Sequence, residues 1–214
     1  GARAELIHGP RAKDSPTLDV GQVRLVLLEA GEQLLPTLPA RLRDYAYTRL
    51  ARLGVDVRLR ATASQISAQA VQLKDGAVIP TETVVWTAGV RGASQAGAWG
   101  LPTVVNGQVQ VLPTLQLASH PEVYVIGDLA RIAGDQPPLP MTAPVATQQG
   151  VVAAQNVARQ VAGRPPQPFH YHDQGTMAAI GRNAAVASVA GRPITGFVAW
   201  MVWLAVPIYN LIGF

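Results

Sequence analysis

The sequence of 214 residues contains no cysteine. That absence excludes disulfide scaffolds, thiolate metal sites and every mechanism that moves electrons through a protein dithiol, so any electron chemistry must sit on a bound cofactor. Charge is sparse as well, at 14% of residues against 49% hydrophobic, which points to a surface that meets lipid or a large partner. The net charge of +4 comes from cations scattered along the chain rather than gathered in a run. Such scatter suits anionic headgroups at least as well as nucleic acid, and no basic stretch interleaved with aromatics makes nucleic acid an expected partner. No signal peptide is visible. The chain starts at Gly1 and stops at Phe214 inside an apolar run, so it is expected to be a segment of a longer protein.

The most informative stretch that is present is VYVIGDLA, residues 123–130. Its β-branched and aromatic residues read as a buried strand that delivers Gly127 and Asp128 into a crevice at its carboxyl end, where open α/β sheets bind cofactors. A glycine there lets a ligand lie close to the backbone, and the carboxylate accepts a hydrogen bond from a sugar or sugar-alcohol hydroxyl. The plainer alternative is a strand-to-turn junction in which Asp128 only caps the turn.

Upstream, residues 1–8 are compatible with the tail of a helix, and residues 9–21 carry loop chemistry. Residues 23–29 form a nearly continuous apolar strand ending on Glu29, and residues 38–53 repeat apolar positions at helical spacing, with Pro39 at the start and Gly54 at the stop. Residues 55–59 resume a strand, which makes a crossover unit of a parallel sheet. Residues 63–80 read as a small antiparallel hairpin excursion around Lys74-Asp75-Gly76. Residues 83–87 (TVVWT) read as another buried strand, ending in Ala88 and Gly89, where small residues permit close approach to a ligand.

Residues 91–102 are read as the passage between two domains, and residues 108–112 as a strand. Residues 142–163 are the best helix, with Thr142 as cap, Pro144 in the first turn and Gly163 as stop. Its unpaired first amides follow the Gly127-Asp128 loop and suit an anion or the electron-rich edge of a reduced ring system. Residues 169–172 alternate Phe169 and Tyr171 with His170 and His172; solvent-side histidines are the default, and no metal site is expected. Residues 177–189 hold two short alanine-rich strands around Gly181. Residues 193–214 carry no charge and several interfacial aromatics. A helix lying in the headgroup plane is favoured there over a true span or a buried, dimer-contact helix.

Taken in order, LLEAGEQLLPTLP, LARLGV, VVWTAGV, VYVIGDLA, TAPVATQQG, YHDQGTMAAIGRNAAVA and GFVAWMVWLAVPIYNLIGF resemble the carboxyl-terminal half of type II NADH:quinone oxidoreductases. These belong to the two-dinucleotide-binding-domain flavoproteins of the pyridine nucleotide-disulfide oxidoreductase superfamily. The resemblance implies an α/β fold made of parts of two Rossmann-like domains, a carboxyl-terminal β segment and an apolar membrane-associating helix. Residues 1–100 would then be the later part of the NADH-binding domain, residues 101–165 the later part of the FAD-binding domain, and residues 166–214 the β segment and tail.

It further implies bound FAD, NADH as substrate and a quinone as acceptor, with hydride passing from NADH to the flavin and two electrons from there to the quinone. Glu29 resembles the acid that holds the adenosine ribose of NADH, and Ala88 and Gly89 the turn beside the nicotinamide half. Gly127 and Asp128 resemble the pair at the ribityl-pyrophosphate region of FAD, and Val145 and Ala146 the residues whose amides face the isoalloxazine. Gln148, the catalytic candidate, matches the second glutamine of an AQxxxQ motif at the quinone side, whose first glutamine position holds Pro144. A lysine position before the GTMA turn holds Gln174, and a histidine position in the tail holds Pro207.

No GxGxxG follows a strand in this sequence, so this segment alone is not expected to bind either dinucleotide tightly. A peripheral location on the cytoplasmic face of a membrane is implied, with a homodimer possible. Two other functions stay open: a membrane-surface module that kept the fold and lost redox work, and a flavin reductase with a soluble acceptor.

Overall fold

The computed structural model describes residues 4, 5, 23–135 and 137–211. The loop expected over residues 9–21, and most of the helix tail over residues 1–8, lie outside the described residues. Two compact units divide the chain: Gly1–Val84 with Gln174–Phe214 form one, and Val85–Asp173 the other.

In the first unit, β1 (Leu25–Leu28) runs parallel to β2 (Val55–Arg58), with Leu25 opposite Val55. Helix α1 (Ala40–Arg52) connects them and buries Leu42, Ala46 and Leu50, one residue per turn on a single face. Pro39 caps its start, Arg49 and Arg52 sit in the last turn where cations oppose the helix dipole, and Gly54 at φ +76° turns the chain away. The expected hairpin gains a third strand: β3 (Ala63–Ile66), β4 (Ala70–Leu73) and β5 (Val78–Pro80) form an antiparallel sheet. Asp75 closes its turn by accepting from the Ala77 N–H at 3.0 Å.

The carboxyl-terminal strands β8 (Thr176–Gly181), β9 (Ala184–Val189) and β10 (Arg192–Thr195) order as β10-β9-β8, all antiparallel. Strand β9 is central and its side chains alternate. Val186 packs with Leu42, Ala46 and Leu50 of α1, whereas Ala185 and Ala187 pack with Ala199 of the last helix, α4 (Gly196–Leu211). The Glu5 carboxylate accepts from the Arg182 N–H at 2.6 Å beside the β8–β9 turn.

An ion-pair cluster sits across β1 and β2. Arg24 Nη2 donates to Asp56 Oδ2 at 2.5 Å and Arg58 reaches the same oxygen at 3.2 Å. The hydrogen bond from Arg24, aided by Arg58 and opposed by partial desolvation, holds the Asp56 carboxyl below its ordinary pKa of 3.8. A depressed folded pKa means that the stabilisation is complete above the ordinary value and is lost as pH falls through the lowered one. Because the side chains are partly exposed, the effect is below about 1 kcal/mol. Asp56→Asn should therefore melt slightly earlier than wild type at neutral pH, with the gap closing in acid below pH 3.8; thermal melts across pH check this.

In the second unit, a short helix α2 (Gln95–Ala98) precedes β6 (Val109–Val111), which pairs in parallel with β7 (Ala130–Ile132). Helix α3 (Ala143–Val161) follows, close to the expected span. The core gathers Val109, Val111, Leu115, Leu117, Val125 and Phe169.

Two expected strands are corrected. Residues 83–87 are not a strand and are not buried: Val85 is 46% and Trp86 64% exposed. Their β-branched composition expresses a preference that only a ladder partner can fix, and none pairs with them among the described residues. Residues 123–126 also form no strand; Tyr124 alone makes an isolated bridge, to Gln116. Gly127–Leu129 is a 3-10 turn, and the strand begins after it, at Ala130. The glycine and the acid thus open a strand instead of closing one.

Candidate cofactor site

The site is built around that turn. Gly127 holds φ +67°, a left-handed value that glycine adopts without strain, and an added Cβ would meet the Ala146 methyl at 3.5 Å. The first turn of α3 therefore lies against the glycine. Gln149, one turn further along α3 and 1% exposed, accepts the Gly127 N–H on Oε1 at 2.6 Å. From the other side Gln108, 6% exposed, donates through Nε2 to Ala130 O at 3.0 Å and to Asp128 O at 3.4 Å. Asp128 is left with its side chain exposed. A small cleft beneath the turn is lined by Gln108, Gly127, Arg131, Asp135, Met141 and Gln149.

At the amino end of α3, Thr142 occupies the cap position without a side-chain capping bond, and Pro144 has no N–H. The Ala146 N–H donates to Thr142 O at 3.1 Å, so Ala146 offers the site a methyl group and not an amide. The Val145 N–H has no acceptor among the described residues, and the Val145 side chain is buried. The Gly127 turn and the first turn of α3 thus lie side by side, with Gly127 against the Ala146 methyl.

Gln148 uses both ends of its amide: Nε2 donates to His172 O at 2.9 Å and Oε1 accepts the His172 N–H at 3.0 Å. It fastens residues 169–173 to the helix as a neighbouring strand would. Asn156 does the same further along, accepting the Gln167 N–H at 2.7 Å and donating to Gln167 O at 2.8 Å. Along this segment Phe169 is buried while His170 and His172 are exposed, the expected alternation.

Glu29 lies in the other unit, at the carboxyl end of β1, half-buried, with Oε1 accepting the Gly31 N–H at 2.7 Å. Ala88 and Gly89 belong to the exposed extended run; Gly89 has φ +87° and nothing within 4 Å of an added Cβ. No hydrogen bond among the described residues joins them to the Gly127 turn.

Gln149 and Gln108, which hold the Gly127 turn, are residues of the candidate site that sequence reasoning missed. A signal existed for Gln149. Val145, Gln149, Ala153 and Asn156 are the buried residues of α3, at helical spacing, so a polar residue stands where the apolar stripe calls for a hydrophobe. Such a residue must find an internal partner.

The family model for pyridine nucleotide-disulphide oxidoreductases matches residues 17–150. The chain belongs to that family. Among its curated relatives in the family, the type II NADH:quinone oxidoreductase Ndh of Mycobacterium tuberculosis is 34% identical over 92% of this chain and 44% of its own length. The type II NADH:quinone oxidoreductase of Staphylococcus saprophyticus is 32% identical over 84% of this chain and 46% of its own length. The chain thus spans a little under half of these relatives. The solved structure of NDH2 from Plasmodium falciparum in complex with NADH superposes with a TM-score of 0.84 at 14% identity, covering 98% of this chain and 58% of that one. At that identity the likeness establishes the fold alone, an α/β dinucleotide-binding fold.

Proposed function

We propose that this chain is part of a flavoprotein oxidoreductase in which electrons pass from NADH through bound FAD to a quinone at a membrane surface. The observation that carries this reading is the meeting of the Gly127-Asp128 turn with the amino end of α3. There the exposed Asp128 carboxylate follows a glycine packed on the first turn of α3, in which the Val145 N–H has no acceptor among the described residues. These groups suit what FAD presents, namely hydroxyls for Asp128 and an electron-rich edge for the helix end.

When bound, FAD supplies the two-electron carrier that a chain without cysteine cannot supply itself. Asp128 accepts a hydroxyl hydrogen and fixes the ligand's orientation. The Val145 N–H and the α3 dipole would supply positive partial charge to an electron-rich group bound at the helix end. Glu29, its carboxylate already oriented by the Gly31 N–H, is proposed to accept from a ribose hydroxyl of NADH. Gln148 acts on the quinone side as a positioning residue, through the segment it fastens.

Helix α4 is proposed to lie in the headgroup plane on the cytoplasmic face. Phe197, Val198, Met201, Leu204, Ile208 and Tyr209 are all exposed on it, and it contains no charged residue. Among the described residues no helix is long and apolar enough to cross a membrane. A second reading, a membrane-surface module without redox work, draws on the pairing of the Gln148 amide with the His172 backbone. Purified full-length protein reconstituted with FAD should show flavin absorption that bleaches anaerobically on addition of NADH. Protein that retains no flavin, or flavin that NADH leaves oxidised, would favour the second reading.

A further inference from the structure

The Gly127–Ala130 backbone is held from both sides by buried neutral amides with opposite roles. Gln149 reaches it from α3 as an acceptor, taking the Gly127 N–H at 2.6 Å. Gln108, one residue before β6, reaches it as a donor, giving to Ala130 O at 3.0 Å and Asp128 O at 3.4 Å. Neither glutamine touches solvent to any extent, at 1% and 6% exposure, and a buried carboxamide is stable only when its bonds are made. Between these two fixed points the one exposed polar side chain is Asp128.

We infer that Gln149 and Gln108 are positioning residues that clamp the turn and so aim the Asp128 carboxylate at the ligand hydroxyl. The inference rests on the FAD reading above and extends it to two residues that do not contact the ligand. It also explains why an exposed acid on a three-residue turn can serve as an anchor: its main chain cannot swing, so the side chain meets the ligand already oriented.

The two roles make the clamp testable by atom type. Gln149→Leu keeps the approximate volume and removes the acceptor; Gln149→Glu keeps an oxygen at the same place along the side chain. Gln108→Met removes the donor. Each variant is made in the full-length protein, and two quantities are read: the FAD dissociation constant from titration of the apoprotein, and the hydrogen-exchange rate of the Gly127 amide.

The expected result for Gln149→Leu is roughly tenfold weaker FAD binding, with Gly127 exchange faster by about the same factor, from loss of one hydrogen bond to the backbone. Gln149→Glu should recover most of both. Gln108→Met should weaken FAD binding while leaving the Gly127 amide protected. Equal FAD affinity in wild type and Gln149→Leu overturns the inference while leaving the flavoprotein reading intact. So does a Gln149→Glu variant no better than Gln149→Leu, or faster exchange with FAD affinity unchanged. Wild-type protein that takes up no FAD overturns the flavoprotein reading itself, and the inference with it.

Discussion

Asp128→Ala in the full-length protein is expected to weaken FAD binding by about 10- to 150-fold, the equivalent of one hydrogen bond to a charged group at about 1.5–3 kcal/mol. The acid is exposed and its main chain is held by Gln108, so its removal leaves the packing of the turn intact. Melting of the apoprotein should stay within a degree or two, because surface substitutions away from special features are worth about 0.5 kcal/mol or less. Asp128→Asn, which keeps a neutral acceptor, should fall between the two, since neutral hydrogen bonds contribute about half as much. Flavin per chain and the dissociation constant decide the matter. Unchanged flavin content in Asp128→Ala would remove Asp128 from the site.

Gly175→Ala is expected to be the most damaging single substitution for folding in the first unit. Gly175 holds φ +96°, and an added Cβ would overlap the Ser188 carbonyl oxygen of β9. That neighbour is backbone at the first rung of the β8–β9 ladder, where Thr176 pairs with Ser188, so relief means moving a strand and not a side-chain tip. A left-handed backbone costs a residue with a Cβ about 1–2 kcal/mol, and overpacking adds about 1–3. A total of roughly 2–5 kcal/mol, from those two sources, should appear as a clear drop in melting temperature. Gly76→Ala is the matched control. Gly76 has φ +88° with nothing within 4 Å of an added Cβ, so only the backbone component applies. Equal melting of the two variants would mean that the contact with Ser188 yields easily.

The parts of this fold legible in the sequence are those whose signal is local. The helices α1 and α3 announce themselves by apolar spacing, an initial proline and a terminal glycine, and the structure places them within two residues of the expected ends. The first parallel pair is equally plain, because a short apolar run on either side of a helix has one economical arrangement. What escaped was pairing at a distance. TVVWT and VYVI carry the composition of strands, yet a strand exists only through its neighbours, and composition does not report whether neighbours are there.

At the candidate site, the glycine, the acid and the helix start were legible as residue types that the proposed chemistry requires. The division of labour between Val145 and Ala146 was not, since it depends on which amide the Thr142 carbonyl captures. The role of Gln148 was hidden for a related reason. Its exchange of two hydrogen bonds with His172 spans 24 residues, beyond the reach of any helical period.

The alternation along β9 has a consequence for the tail. Ala185 and Ala187 are too small to cover that side of the sheet themselves, and Ala199, Trp200 and Trp203 of α4 supply the roof. The helix whose outer surface is apolar and exposed is therefore also mortar for the sheet beneath it. Cutting it away would strip that side of the sheet bare. Lysines introduced at the outward Phe197 and Met201 would leave the masonry in place, and on the proposed headgroup-plane reading they would weaken binding to lipid vesicles.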